Sequence, residues 1–463
     1  MINFKDKNFW KMTLALALPI AMQNLLTSSF TLVDTVMIGQ LGDVSLSAVG
    51  MAGQVSWLLN IVLFGFCSGG AVFISQYWGA KDISGIKRTI GIATIASFLM
   101  AVMFMLFSLI IPERIVHIFN QEPIIIAEGS AYLRVVAWSY PAIALNLALC
   151  SCLRAVERVR IPVVVSLVTT VVNIFLDYCL IFGKFGFPEM GIVGGALATV
   201  IAAWTAPVVI VIGSVISKNI LFDKPKAFLG FDVGFLKFYL KKSIPVVFNE
   251  ALWGMAMVTF NIIYANLGYE EYAAVTISRS LENMVFVFFA GVGTASSILV
   301  GKSIGSGDIK QAKLDAKRYT LLTPVLGIVL GTLVFLFREQ LIGLFNMSDN
   351  ISEVTYNTAL DVLLVYSCAI SIRNIPYIQV CGIFRPGGDT TMGAKVDIIC
   401  SWCISLPATL IAAYVLKLPF PLVMAVMYAF DDIPNSTLCL KYFLSDKWIR
   451  PVTEQGRRAL EKV

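Results

Sequence analysis

Four short stretches of this 463-residue chain set carboxylates among apolar neighbours: Asp34 in FTLVDTVMIG, Glu250 in FNEALW, Asp397 in VDIICSW and Asp431-Asp432 in AFDDIP. An ionised Asp near the centre of a bilayer-crossing helix costs roughly 2.5–3.5 kcal/mol on insertion scales. A chain carries such a cost when the group has a partner or a task. The chemistry open to isolated intramembrane acids is reversible uptake of a proton or a metal cation. Competing roles exist. Asp34 could cap a broken helix or accept from a hydroxyl of Thr27, Ser28, Ser29, Thr31 or Thr35. Glu282 with Arg279, and Arg373 with Asp361 or Asp397, read as structural ion pairs. Asp431-Asp432 alone does not make a Mg²⁺–diphosphate site, which needs more carboxylates. Nine cysteines lie in or beside apolar runs; Cys400 and Cys403 have CxxC spacing, but no second pair or His cluster joins them, so they read as small hydrophobes.

The elements that must hold these acids are long and apolar. The chain is 58% hydrophobic and only 14% charged, with a mean hydropathy of +0.81. A soluble globular chain is about 45–50% apolar and about 25% charged. The excess indicates an all-α integral membrane protein. Twelve runs reach the roughly 20 apolar residues that a transmembrane helix needs. They centre near residues 27, 62, 101, 138, 172, 204, 252, 287, 327, 369, 405 and 431. The N-terminal run has no small-residue cleavage site and reads as an uncleaved first span. Of the 35 Lys and Arg, only Arg114, Lys184, Arg338 and Lys417 fall in the odd-numbered loops. The positive-inside rule then puts both termini in the cytoplasm. The net charge of +6 follows from that loop bias and does not call for nucleic acid.

The chain also matches itself. At an offset of 226, residues 19–82 align with 245–308 without a gap, pairing Pro19 with Pro245, Gly65 with Gly291, Gly79 with Gly305 and Asp82 with Asp308. Gln23 meets Asn249, a similar amide. At offset 231, Arg154 meets Arg385. Prolines and glycines are where backbone geometry constrains the residue, so these matches weigh more than their number. Each copy holds six spans, an even number, so both share one orientation. Two six-helix bundles follow, over 1–216 and 244–463, related by a parallel pseudo-two-fold and joined by a basic cytoplasmic linker over 217–243.

The stretches PIAMQNLLTSSFTLVDTVMIGQLG (19–42), GGAVFISQYWGAKD (69–82), CLRAVERVRIP (152–162), VVNIFLDYCLIFGKFGFPEMGIVGGALATV (171–200) and CGIFRPGGDTTM (381–392) resemble the multidrug and toxic compound extrusion (MATE) family. The resemblance implies two six-helix bundles around a central cavity, and export of cationic or amphiphilic compounds in exchange for H⁺ or Na⁺. It also implies a coupling site in the first bundle, at Asp34, Asn173, Asp177 and Thr199. If the coupling ion is Na⁺, Asp34, Asn173 and Asp177 would be its ligands. Asn173 and Asp177, four residues apart, project from one helix face. Two carboxylates brought together in low dielectric do not both stay ionised easily. Protonation of Asp34 is expected to bend or shift the first span.

The second copy departs from the first: Phe260 stands opposite Asp34. Substrate-cavity candidates are Gln23, Asn249, Glu250 and Asp431, with Gln23 equally suited to packing the first span. Two other functions compete with efflux. A lipid-linked precursor flippase would want a basic cavity, whereas acids outnumber arginines here. A membrane transferase would want a His, Asp or Ser constellation, and His117 is the sole histidine. The expectation is a monomeric, non-enzymatic antiporter without a cofactor. Its partners are small cationic or amphiphilic molecules and the lipid bilayer, and its location is the inner membrane.

Overall fold

The computed structural model describes residues 6–119, 121–343 and 352–462. In a bilayer each backbone donor and acceptor must be satisfied within the chain, and the apolar runs meet that demand as helices. Twelve long helices follow in order. The first half holds α1 (Lys7–Gly39), α2 (Asp43–Gly79), α3 (Ile83–Ile110), α4 (Pro123–Ala155), α5 (Arg160–Phe182) and α6 (Gly191–Ser217). The second holds α7 (Val233–Ala265), α8 (Tyr269–Gly305), α9 (Ile309–Gly343), α10 (Glu353–Gly387), α11 (Met392–Val415) and α12 (Phe420–Leu444). Every expected span centre falls inside one of them. Among the described residues eleven are long and apolar enough to cross a membrane by composition alone; α12 is the exception and carries Asp431-Asp432 in its middle. His117 ends a six-residue helix, Pro112–His117.

The linker expected over 217–243 is partly helical, because α7 begins at Val233. Its sequence KFYLKKS is amphipathic: Tyr239 and Ser243, one turn apart, are buried, while Lys237 and Lys241 stay exposed. Tyr239 donates from its hydroxyl to the Phe66 carbonyl at 2.9 Å, and Gly69 leaves the space that Ser243 fills.

The chain forms two compact units. One comprises residues 19–78 and 82–247; the other comprises 1–18, 79–81 and 248–463. In the first, Ile38, Ala52, Tyr132, Leu133, Ile181 and Ala196 share a core cluster. In the second, a larger core runs from Phe260 and Tyr264 through Val362 and Tyr366 to Met424 and Tyr428. The start of α1 belongs to this second unit. There Phe9 lies 5.2 Å from the Tyr319 ring, Thr13 bonds the Tyr319 hydroxyl at 2.7 Å, and Asp6 pairs with Arg318 at 3.0 Å. Large side chains such as Leu18, Leu99, Val208, Val211 and Ile328 remain exposed. An apolar surface of that extent is a lipid-facing one in a chain with these spans.

α10 and α11 are not uniform α-helices. They contain π-helical turns at Val380–Phe384, Ile398–Ser405 and Ile411–Val415. Such turns widen the spacing of side chains along a face and cluster at functional positions. Cys400 is buried and Cys403 exposed within one such turn, and neither forms a disulfide.

Candidate functional site

The first unit gathers the residues that the sequence singled out. Asn173 and Asp177 lie on α5, at 1% and 0% exposure, one turn apart. All four polar atoms of these two side chains are buried without a hydrogen-bond partner. Asp34 lies in the interior of α1, and its Oδ1 is likewise buried and unpartnered. Ile38, one turn beyond Asp34, and Ile181, one turn beyond Asp177, share a core cluster with the buried Tyr132 of α4.

Helix packing brings these groups together. A side chain at Gly194 of α6 would drive into the Leu180 carbonyl of α5 at 2.5 Å, and one at Gly195 would lie 3.9 Å from Asp177 Oδ1. The GG pair therefore lets α6 approach the acid-bearing face of α5. Thr199, one turn beyond Gly195, is half-buried and makes no hydrogen bond to Asn173 or Asp177.

The competing roles for Asp34 find no support. It does not cap a break, since α1 continues as helix from Lys7 to Gly39 and its interior proline, Pro19, lies several turns before Asp34. The Thr27, Thr31 and Thr35 hydroxyls donate to carbonyls of Gln23, Thr27 and Thr31, one turn back along their own helix. Buried polar groups are nearly always paired, and each orphan costs about 1–3 kcal/mol. Two carboxyls and an amide left unpaired among apolar neighbours can take up a proton or a cation. Sequence reasoning missed Tyr132 and Gly195, because nothing in AYLRVV or VGGAL marks either as a neighbour of the acid-bearing face of α5, which lies on a different helix from both.

The second unit treats its acids differently. Phe260, opposite Asp34 in the repeat, is fully buried and stacked near Tyr264 at 6.4 Å. Asn249 is held between Arg385, which donates to its Oδ1 at 2.7 Å, and Asp397, which accepts from its Nδ2. The same guanidinium pairs with Glu250 at 2.6 Å. Asp431 accepts from Ser401 at 2.8 Å. Gln23, the remaining cavity candidate, accepts from Arg154 at 3.1 Å, so its packing alternative is what the geometry displays. The expected ion pairs differ from those formed. Arg373 reaches Glu282 at 3.6 Å and Asp432 at 3.7 Å, not Asp361 or Asp397, and covers the Tyr428 ring at 4.4 Å. Arg279 bonds Asn261 instead of Glu282. The partners lie on other helices, which sequence proximity does not reveal. Among the described residues no group of three or more His, Cys, Asp or Glu is placed to hold a metal ion.

A family model described as MatE matches the chain twice, over residues 19–179 and 245–411, beginning at Pro19 and Pro245. The chain belongs to the MatE family. Its members are transporters rather than enzymes, and the paired matches coincide with the internal repeat. Among relatives of this MatE chain are the "Probable multidrug resistance protein NorM" of Thermotoga maritima and the "Probable multidrug resistance protein YoeA" of Bacillus subtilis. The first is 27% identical over 441 residues, 95% of this chain and 93% of the relative. The second is 25% identical over 412 residues, 88% of each. A crystal structure of MATE in the bent conformation superposes with a TM-score of 0.84 at 17% identity, over 98% of this chain and 97% of that one. A transporter of Pyrococcus furiosus, described as having reversed binding-pocket polarity, matches with a TM-score of 0.84 at 18% identity, over 94% and 95%. At these identities the superpositions establish the fold of this MatE protein.

Proposed function

We propose that this protein is a secondary antiporter that exports cationic or amphiphilic small molecules in exchange for protons. Asp34, Asn173 and Asp177 form its coupling site, and Thr199 stands at the edge. The observation that carries the reading is the set of unpartnered polar atoms on Asn173, Asp177 and Asp34, whose helices share the core cluster of Ile38 and Ile181. Deprotonated, the site confines two neighbouring carboxylates in a low-dielectric interior; protonation removes one charge and lets the other accept a hydrogen bond. A neutralisation of that size biases one helix packing over another, which is the requirement for alternating access. The first span, carrying Asp34 and broken in its hydrogen-bond ladder at Pro19, is the element to shift.

Protons are favoured over Na⁺ by the helices themselves. Sodium sites in transporters commonly recruit carbonyls from unwound segments. Here α1, α5 and α6 stay helical past the site, so only side-chain oxygens face it. The relatives named multidrug resistance proteins support small-molecule cargo. The loop charge bias supports cytoplasmic termini in an inner membrane, and nothing in the fold requires more than one copy.

The test is efflux of a fluorescent lipophilic cation from proteoliposomes, with pH and sodium gradients imposed separately on wild type and Asp34→Asn. Transport driven by the pH gradient alone, and lost in Asp34→Asn, is expected. Drive by sodium alone would replace the proton. Full coupling in Asp34→Asn would remove Asp34 from the site.

A further inference from the structure

The two halves of the chain repeat more than a helix count. Arg154, at the C-terminal end of α4, donates from Nη1 to Gln23 Oε1 of α1 at 3.1 Å. Arg385, near the end of α10, donates from Nη2 to Asn249 Oδ1 of α7 at 2.7 Å. Gln23 and Asn249 are equivalent at offset 226, and Arg154 and Arg385 at offset 231. The acceptor lies four residues past a proline in both copies, Pro19 and Pro245, and both those helices are 33 residues long.

Each proline lacks an N–H, so the carbonyls of Ala15 and Lys241 lose their helical donors and each first helix is weakest there. The compact units part at the first proline and just after the second, between Leu18 and Pro19 in α1 and between Val247 and Phe248 in α7. The amide that follows is therefore the first polar anchor on the far side of each break. Both anchors use a guanidinium from the fourth span of their own half. Copies this divergent in sequence have still kept the same donor, acceptor class and helix pair.

The copies differ in how firmly the contact is held. Gln23 and Arg154 are both half-buried, and their bond joins a neutral amide to a guanidinium. Arg385 is 3% exposed and also pairs with Glu250, while Asn249 also donates to Asp397 of α11. Gly393 leaves the room for this, since a side chain there would meet Asn249 Oδ1 at 2.4 Å. Both bonds have a charged donor, but the second is buried and anchored again through Glu250 and Asp397, and such a network resists opening more than a single half-exposed bond.

We propose that Gln23–Arg154 and Asn249–Arg385 are one duplicated positioning contact, in which the first copy releases α1 during the transport cycle and the second holds α7 as a fixed support. Its consequence for turnover rests on the transport reading above; the contact itself does not. The test is hydrogen exchange of the full-length protein in nanodiscs, read over residues 15–27 and 241–253, together with efflux kinetics. Gln23→Leu is expected to speed exchange several-fold in 15–27 only, leave Tm unchanged, and lower kcat with little change in KM. Gln23→Asn, the amide used by the other copy, should restore both. Gln23→Leu with Arg154→Leu should be no worse than either alone. Asn249→Leu should instead lower Tm; if it does not fold, Asn249→Gln should behave as wild type. Unchanged exchange in Gln23→Leu, exchange raised across the whole first unit, or failure of Gln23→Asn to rescue would each overturn the proposal. Wild type that exchanges as described but transports nothing would defeat the antiport reading and leave the contact standing.

Discussion

Asn173→Leu separates a coupling site from a structural defect. Asn173 is 1% exposed, and neither its amide nitrogen nor its oxygen has a partner. Each unsatisfied buried group costs about 1–3 kcal/mol. A near-isosteric apolar replacement removes both costs and adds a repacking penalty below about 1.5 kcal/mol. The net is a gain in stability on the order of 2 kcal/mol. The same change strips the site of an oxygen and a donor and leaves Asp177 beside a methyl group. Asn173→Leu is therefore expected to melt a few degrees above wild type in detergent and to lose gradient-driven efflux. Sites kept for function hold such costs in the folded state, so a gain of stability with loss of activity is their signature. A variant that melts below wild type would mean the amide has a structural partner. A variant that keeps coupled efflux, whatever its Tm, would refute the role.

Three further expectations concern packing and charge. Gly194→Ala should cost about 1–3 kcal/mol, because its methyl group meets the Leu180 carbonyl at 2.5 Å. Gly195→Ala has only ordinary contacts and should melt near wild type, yet place a methyl group beside Asp177 and slow efflux. Asp389, in the turn between α10 and α11, is 2% exposed. Burial works to raise its pKa, but the Tyr442 hydroxyl, the Thr391 N–H and hydroxyl, and Arg450 at 3.3 Å together hold the carboxyl below its usual range. A depressed folded value means this stabilisation is complete above the ordinary carboxylate pKa and lost as pH falls through and below it. Melts across pH 3–7 should show that acid-side loss in wild type and not in Asp389→Ala. The variant should be destabilised at neutral pH by about 1–3 kcal/mol, from the lost hydrogen bonds to the buried carboxylate, since Arg450 is half-exposed.

How much was legible follows from which forces act locally. Lipid demands long apolar helices, so twelve apolar runs can be read from the sequence, although α12, which carries Asp431-Asp432, falls short on composition alone. Pro and Gly restrict the backbone at single positions, so Pro19 and Pro245 registered the two halves without a structure. The amphipathic start of α7 was hidden because its lysines read as a loop, while Tyr239 and Ser243 bury the other face. Ion pairing was the least legible, since Arg373 chooses Glu282 and Asp432 from helices that the sequence does not place beside it.

The two copies also sort scaffold from chemistry. What both retain is the proline, the amide one turn later and the arginine closing the fourth span, the contact proposed above to position the first helix of each half. What only one retains cannot be needed for that. Asp34 has become Phe260 in the second copy, and the Asn173–Asp177 face has no counterpart among Glu250, Glu282, Asp397, Asp431 and Asp432, which have hydrogen-bond or ion-pair partners, although Asp432 Oδ2 has only the 3.7 Å pairing with Arg373. The second half satisfies its buried charge; the first leaves its charge open. An open buried carboxylate stabilises nothing by itself, so its retention points to a ligand that comes and goes.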